Sequence, residues 1–323
     1  MFSRRLLREK VVQSLFRCMI DDSCQEKDVL EALKTILKDY YKLYILVLYV
    51  IVKLHDEILR EPDRVGADQF WTEEERENLR KIGNNPIVER LRNSSLFSKA
   101  KNLGISELVS RDFILGLYND LEKEKWFREY VLTGINSKQE AERFFWDLVD
   151  WLLKQEKFQN FLDEHFAFWK YDFDSVMFAL LKTVERIKSS FKGDPVFQED
   201  PKKWERNWQF AKNLVHFTLQ NASLLDEEIA KQLKNWELER LSLMDRLLMR
   251  LALTEWLSMP EIPVLVTLDE YVKLSDNMSK PDSPKFVNGV LNALLKRLAD
   301  EGRIPDYDRR SAESTSVGST RNK

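Results

Sequence analysis

The chain is 323 residues long and carries 54 acidic against 51 basic side chains, a formal net charge of −3, so any grip on nucleic acid must come from a local patch. With 43% hydrophobic and 33% charged residues but only 9 Gly and 9 Pro, it reads as a helix-rich globular chain, long enough for two domains or one large one. Its two cysteines, Cys18 and Cys24, are too few for a disulfide framework or a four-thiolate metal site; they are expected to be idle or buried thiols, and a reducing cytoplasm fits them.

The first predicted helix runs from about Arg4 to Ile20. Leu7, Val11, Val12, Leu15, Phe16 and Met19 share one arc, and Arg4, Arg5 and Arg8 fall on the same arc at its start. Such a stripe packs on a core and then carries its guanidinium groups to the rim. Positive charge there opposes the helix macrodipole by about 0.3–1 kcal/mol per group, a conflict that a phosphate would relieve. The basic start lacks an apolar h-region and a small-residue cleavage site, so no signal peptide is expected.

A long, strongly apolar helix is predicted from Val29 to Arg60. Its most apolar run, Leu43 to Val52, is bracketed by Lys42 and Lys53, too short to cross a bilayer and better suited to a core. Pro62, Asp63 and Gly66 break the pattern before an acidic helix from Trp71 to Lys81, and Gly83-Asn84-Asn85-Pro86 is a turn signal. Further helices are predicted at about Glu107–Leu132, Lys138–Phe161, Tyr171–Phe191, Lys202–Leu219, Asp226–Asn235, Leu243–Ser258, Leu268–Asn277 and Ser283–Asp300. No strand alternation competes with them, and the fold class is all-α.

Aromatic residues crowd the middle of the chain, among them Trp126, Phe127, Phe144, Phe145, Trp151, Phe158, Trp169 and Phe178. Rings can grip single-stranded RNA by stacking, but here the neighbouring charges are of both signs, which favours the core of a helical layer. Thr267-Leu268-Asp269-Glu270 reads as a capping box, and Pro260 with Pro263 stops the preceding helix. Ser283 is placed as an N-cap with Pro284 as the first helical residue, and Val287, Val290, Leu291, Leu294, Leu295 and Leu298 share the buried arc of the helix they open. Beyond Arg303 the composition turns to Ser, Thr and charge, expected of a disordered tail.

Catalytic signatures do not emerge. His55, His165 and His216 stand far apart in sequence, and the chain contains no phosphate-binding glycine loop, nucleophile elbow or Cys-x-x-Cys pair, so no enzyme activity, metal or cofactor is expected. What remains is anion-receptive. Arg4, Arg5 and Arg8 could hold phosphates together with the amide end of the last helix, where Lys285 adds charge, Phe286 could stack on a base and Asn288 could bond a base edge.

Several stretches carry a family resemblance. They are Trp208-Gln209-Phe210-Ala211-Lys212-Asn213-Leu214-Val215, Asp245-Arg246-Leu247 with Arg250-Leu251-Ala252-Leu253-Thr254-Glu255, Glu261-Ile262-Pro263, and Asp282-Ser283-Pro284-Lys285-Phe286-Val287-Asn288-Gly289-Val290-Leu291. With the arginine cluster and Val12-Gln13-Ser14-Leu15-Phe16 near the start, they resemble the bacterial NusB family of transcription antitermination factors. About 120 residues at the two ends carry the likeness. It implies a NusB-like helical bundle whose first helix is residues 1–20 and whose C-terminal core is 204–302, enlarged by an inserted helical region at 21–203 and followed by a tail at 303–323.

The resemblance also implies a function. NusB proteins bind boxA RNA of ribosomal transcripts as a heterodimer with NusE, a ribosomal protein of the small subunit, and help the transcription elongation complex pass terminators. Carried over, the RNA-binding set is Arg4, Arg5, Arg8, Phe16 in place of the usual tyrosine, Asp282, Phe286 and Asn288, with Lys285 beside them; the partner-facing set is Asp245 and Glu255. Thr254 stands where the family usually has tyrosine, Asp269 where it has asparagine, and Ser275-Asp276 where it has Ala-Lys. The alternative is a helical protein–protein interaction module without RNA binding; no membrane partner is expected.

Overall fold

The computed structural model describes residues 2–20, 24–189, 192–198, 200–233 and 238–304, and all regular structure among them is helical. In chain order the helices are α1 (Arg4–Cys18), α2 (Glu26–Arg60), α3 (Ala67–Phe70), α4 (Glu73–Gly83), α5 (Pro86–Arg92), α6 (Leu96–Asn102), α7 (Ile105–Leu108), α8 (Arg111–Leu121), α9 (Lys125–Thr133), α10 (Lys138–Lys154), α11 (Glu156–His165) and α12 (Trp169–Lys188). They continue with α13 (Pro201–Gln220), α14 (Ala222–Ala230), α15 (Leu243–Ser258), α16 (Val264–Met278) and α17 (Ser283–Asp300). No helix among the described residues is long and apolar enough to cross a membrane. The expected tail lies, from residue 305 on, outside the described residues.

The helices gather into two units, one of Lys38–Gln198 and one of Phe2–Leu37 with Glu199–Lys323. In the first, the run Leu43–Val52 is buried throughout, as its composition demands. The central aromatics line this unit's interior: Phe127, Phe144, Phe145 and Phe158 are fully buried, and Phe144 meets Trp126, Phe127 and Tyr130 at ring distances of 5.0–6.2 Å. Tyr171 and Phe178 are exceptions, both exposed on α12.

Two helices read as continuous from periodicity are each broken. The predicted Glu107–Leu132 helix divides into α7, α8 and α9; Glu124, which precedes α9 without a side-chain cap bond, accepts a hydrogen bond from the Trp151 indole at 3.0 Å. The predicted Lys138–Phe161 helix breaks at the extended Gln155, where the Gln159 amide donates to the Leu153 carbonyl at 2.9 Å. In both places a side chain satisfies backbone or indole groups that an apolar count does not register.

Asn78 and Asn85 fix the loops around α4 and α5 by donating to the carbonyls of Val131 at 3.0 Å and Ala141 at 2.7 Å. Gly134 follows α9 with φ of 73°, and a Cβ there would lie 2.5 Å from Asn78 Oδ1, so turn and close approach both demand glycine.

In the second unit α15 is the spine: α1, α13, α14, α16 and α17 all pack on it. Its start is capped by the Ser242 hydroxyl, which accepts from the Asp245 amide at 3.1 Å, and Pro263 opens α16 after the corner. Two expectations are corrected here. Thr267 is inside α16 rather than its cap, because Pro263 already starts the helix and the Thr267 hydroxyl is directed inward. Cys18 and Cys24 are paired with each other, six positions apart with Cα atoms 5.2 Å apart, rather than idle.

Candidate nucleic-acid interface

The basic end of α1 is held down at several points. Ser3 caps the helix by accepting from the Leu6 amide at 3.2 Å. The Phe2 carbonyl takes a hydrogen bond from Asn207 of α13 at 2.6 Å, and the Phe2 ring rests on Trp204 at 5.2 Å. Arg4 is exposed, with its guanidinium 5.3 Å from the centre of the Phe210 ring. Arg5 projects further, its side chain 53% exposed, with Glu270 of α16 at 4.0 Å.

Arg8 behaves differently from its two neighbours. Only 3% exposed, it donates from Nε and Nη2 to the two carboxylate oxygens of Glu255 at 2.7 and 2.8 Å. The same carboxylate, 0% exposed, accepts from the Thr267 hydroxyl at 2.9 Å and the Tyr271 hydroxyl at 2.8 Å. Four donors therefore converge on one buried acid, which satisfies its lone pairs and offsets much of the cost of desolvating it. Burial, followed by the adjacent Glu255 charge, holds the Tyr271 phenol well above its ordinary range. Burial works against the Arg8 charge, yet the hydrogen bonds and charge of Glu255 prevail, and its pKa is raised. Arg8 and Glu255, read from the sequence as RNA-facing and partner-facing, are thus placed in the interior and joined to each other.

The start of α17 also differs in detail from its sequence reading. Ser283 is the first helical residue, Asp282 occupies the cap without a side-chain bond, and the first turn carries no acid. The reason is tertiary: the Ser283 hydroxyl is drawn to Asp245 Oδ2 of α15 at 2.9 Å and is buried with it. Asp245 Oδ1 has no hydrogen-bond partner among the described residues. Asp282 and Lys285 are exposed, Phe286 and Asn288 half-buried, and the Asn292 amide donates to both the carbonyl and the side chain of Asn288 at 2.9 and 2.8 Å. Phe16, near the end of α1, is half-buried.

One helix therefore positions both halves of the site. Asp245 anchors α17 and Glu255 anchors α1, ten positions apart on α15, which is about 15 Å along its axis and about 80° around it. Tyr271 positions the site without having stood out in the sequence, while Phe210 and Thr267 stood out for other reasons. A signal existed for Glu255 alone: it falls seven, four and three residues after Leu248, Leu251 and Ala252, on a buried stripe where an acid must find a donor.

Two arginines are carried outward by an anchored helix end, and the last helix starts without a side-chain cap, both within an all-helical scaffold. The NusB family model matches residues 175–296. The transcription antitermination protein NusB of Bacillus thuringiensis strain Al Hakam is 38% identical over 94 residues, 29% of this chain and 72% of that relative. Those of Salinibacter ruber and Pseudothermotoga lettingae are 42% identical over 95 residues and 45% over 82, covering 29% and 25% of this chain. The chain spans 59% of the length of each of these two curated relatives. A solved T. maritima NusB is 29% identical, covering 37% of this chain and 87% of its own, at a TM-score of 0.28. The chain belongs to the NusB family.

Proposed function

We propose that this protein is a cytoplasmic, non-enzymatic transcription antitermination factor that binds a boxA-like single strand of ribosomal RNA transcripts together with the ribosomal protein NusE, within the transcription elongation complex. The observation that carries this reading is the pair Arg4 and Arg5, held outward on a helix whose next arginine is locked to Glu255. In the proposed complex Arg4, Arg5 and Lys285 meet phosphates, Phe16 and Phe286 meet bases, and Asp282 and Asn288 bond base edges. Arg8, Glu255 and Asp245 are positioning residues that hold the two helix ends at their spacing. We further propose that the part of Lys38–Gln198 that precedes the family match at residue 175 is an insertion into the family's chain order.

The test is a gel-shift series with boxA-like RNA across salt concentrations, with and without the small-subunit partner. Counterion release predicts that affinity falls steeply with salt, and that Arg4→Ala and Arg5→Ala each flatten the slope by about 0.7 for a single strand. Binding of the ribosomal partner alone, with no RNA shift at any salt, would overturn the reading in favour of a protein-interaction module.

A further inference from the structure

In the unit of Lys38–Gln198, α2 presents Tyr49, Lys53, Glu57 and Arg60 at spacings of four, four and three, a single helical face. That face looks across an open cleft of about 540 Å³ to Val109, Ser110, Arg111 and Ile114 at the start of α8. A cleft of this size is within the range of small-ligand sites.

Its chemistry is one-sided. The floor is apolar, with Tyr49, Val109 and Ile114 all buried. The rim carries three cations, Lys53, Arg60 and Arg111, against a single lining carboxylate, Glu57. Glu57 is already taken on both oxygens, by Arg60 at 2.6 Å and by Arg64 at 3.2 Å. Lys53 lies 4.9 Å from the centre of the Phe97 ring and 5.4 Å from that of Tyr49, with Asp56 at 3.8 Å. Asp56 is in turn held by Arg92 at 2.8 Å. Arg111 is exposed and makes no ion pair among the described residues; Asp112 is exposed beside it.

The backbone adds to this excess. Arg111 and Asp112 open α8, whose first capped amide is that of Phe113, bonded to the Ser110 hydroxyl at 3.1 Å. Their own amides precede the first helical hydrogen bond, at the positive end of the helix. Three cations, the Arg111 amide and a low-dielectric floor that strengthens every charge interaction are together a receptor for a compact polyanion.

We infer that this cleft binds phosphate groups, with Lys53, Arg60 and Arg111 as their ligands. The site is separate from the residues proposed for boxA RNA and does not depend on that reading. The phosphates could belong to an RNA backbone or to a free phosphorylated small molecule, and the experiment separates these sources.

The full chain is titrated calorimetrically at low salt with inorganic pyrophosphate and, in parallel, with a short single-stranded RNA. Arg111→Glu and Lys53→Ala are each expected to weaken pyrophosphate binding about tenfold or more, the loss of a charge-assisted contact. Lys125→Glu, which changes an exposed cation at the first position of α9, leaves it unchanged. Thermal melts by circular dichroism confirm that each variant folds. RNA that competes with pyrophosphate in wild type, and competes equally in Arg5→Glu, assigns the cleft to the RNA backbone. Pyrophosphate binding without such competition assigns it to a free phosphorylated molecule. Absence of pyrophosphate binding in wild type, or equal affinities for Arg111→Glu and Lys125→Glu, overturns the proposal.

Discussion

Two titratable groups, one in each unit, are buried by opposite means. In the unit of Phe2–Leu37 with Glu199–Lys323, Arg8 and Glu255 enter the interior charged, and pairing with each other, Thr267 and Tyr271 makes that possible. In the unit of Lys38–Gln198, His55 is fully buried with Nδ1 on the Ile51 carbonyl at 2.9 Å, the Phe144 ring perpendicular to it with centres 5.5 Å apart, and no partner for Nε2 among the described residues. Burial, with Arg92 adding repulsion, pushes its pKa down to about 4 from the ordinary 6.5, so it is buried neutral. A paired charge is directional and fixes geometry, whereas a neutral ring packs as one more aromatic. That difference fits the role proposed for the unit of α1 and α15, aiming Arg4 and Arg5.

The largest expected effect comes from breaking the pair. Glu255→Ala leaves a buried guanidinium without its counter-ion and two hydroxyls without an acceptor, and should destabilise the protein by about 3–5 kcal/mol at neutral pH in urea unfolding. Replacing both partners, Arg8→Met with Glu255→Leu, should recover a large part of that loss, because no unpaired charge remains. A double variant as unstable as Glu255→Ala would mean that packing around Tyr271, and not the charge pairing, sets the cost.

The second effect belongs to the neutral histidine and depends on pH. With a folded pKa near 4 and an unfolded value of 6.5, the unfolded chain takes up a proton first as pH falls. The His55 contribution is therefore complete above about pH 6.5 and is lost as pH drops toward 4, reaching about 2.5 kcal/mol of lost stability at about pH 4.5. Urea unfolding of wild type and His55→Leu at both pH values isolates it: the variant should lose about 2.5 kcal/mol less than wild type between them. Equal losses would show that His55 is not held neutral by the fold.

Much of the helical frame was legible in the sequence, and the reasons are local. The bounds of α15 and α17, Leu243–Ser258 and Ser283–Asp300, follow from apolar periodicity stopped by prolines. The inward-facing aromatics followed from mixed charge around them. What the sequence concealed is tertiary. Arg8 sits on the same arc as Arg4, and nothing in the pattern tells that one reaches an acid 247 positions away while the other stays at the surface. Ser283 has the identity of a cap, but Asp245 draws its hydroxyl inward and moves the cap to Asp282. Thr267 lost the same contest to Glu255.

The smallest effect sets the baseline against which buried pairing is judged. Asp269 and Lys273 form an i,i+4 pair at 2.6 Å on the outer face of α16, both about half exposed. The Coulomb gain there is screened by water and salt, and ordering two side chains costs entropy, so a double-mutant cycle should return about 0.3–0.5 kcal/mol. The same cycle on Arg8 and Glu255 should give several times that figure, since each single variant strands a buried charge. The two cycles respond differently to salt. Adding salt to about 1 M shortens the screening length to about 3 Å and should erase the Asp269–Lys273 coupling while barely changing the interior one. A coupling between Arg8 and Glu255 that faded with salt in parallel would place water between them. It would also remove the argument that this pair rigidly sets the direction of Arg4 and Arg5.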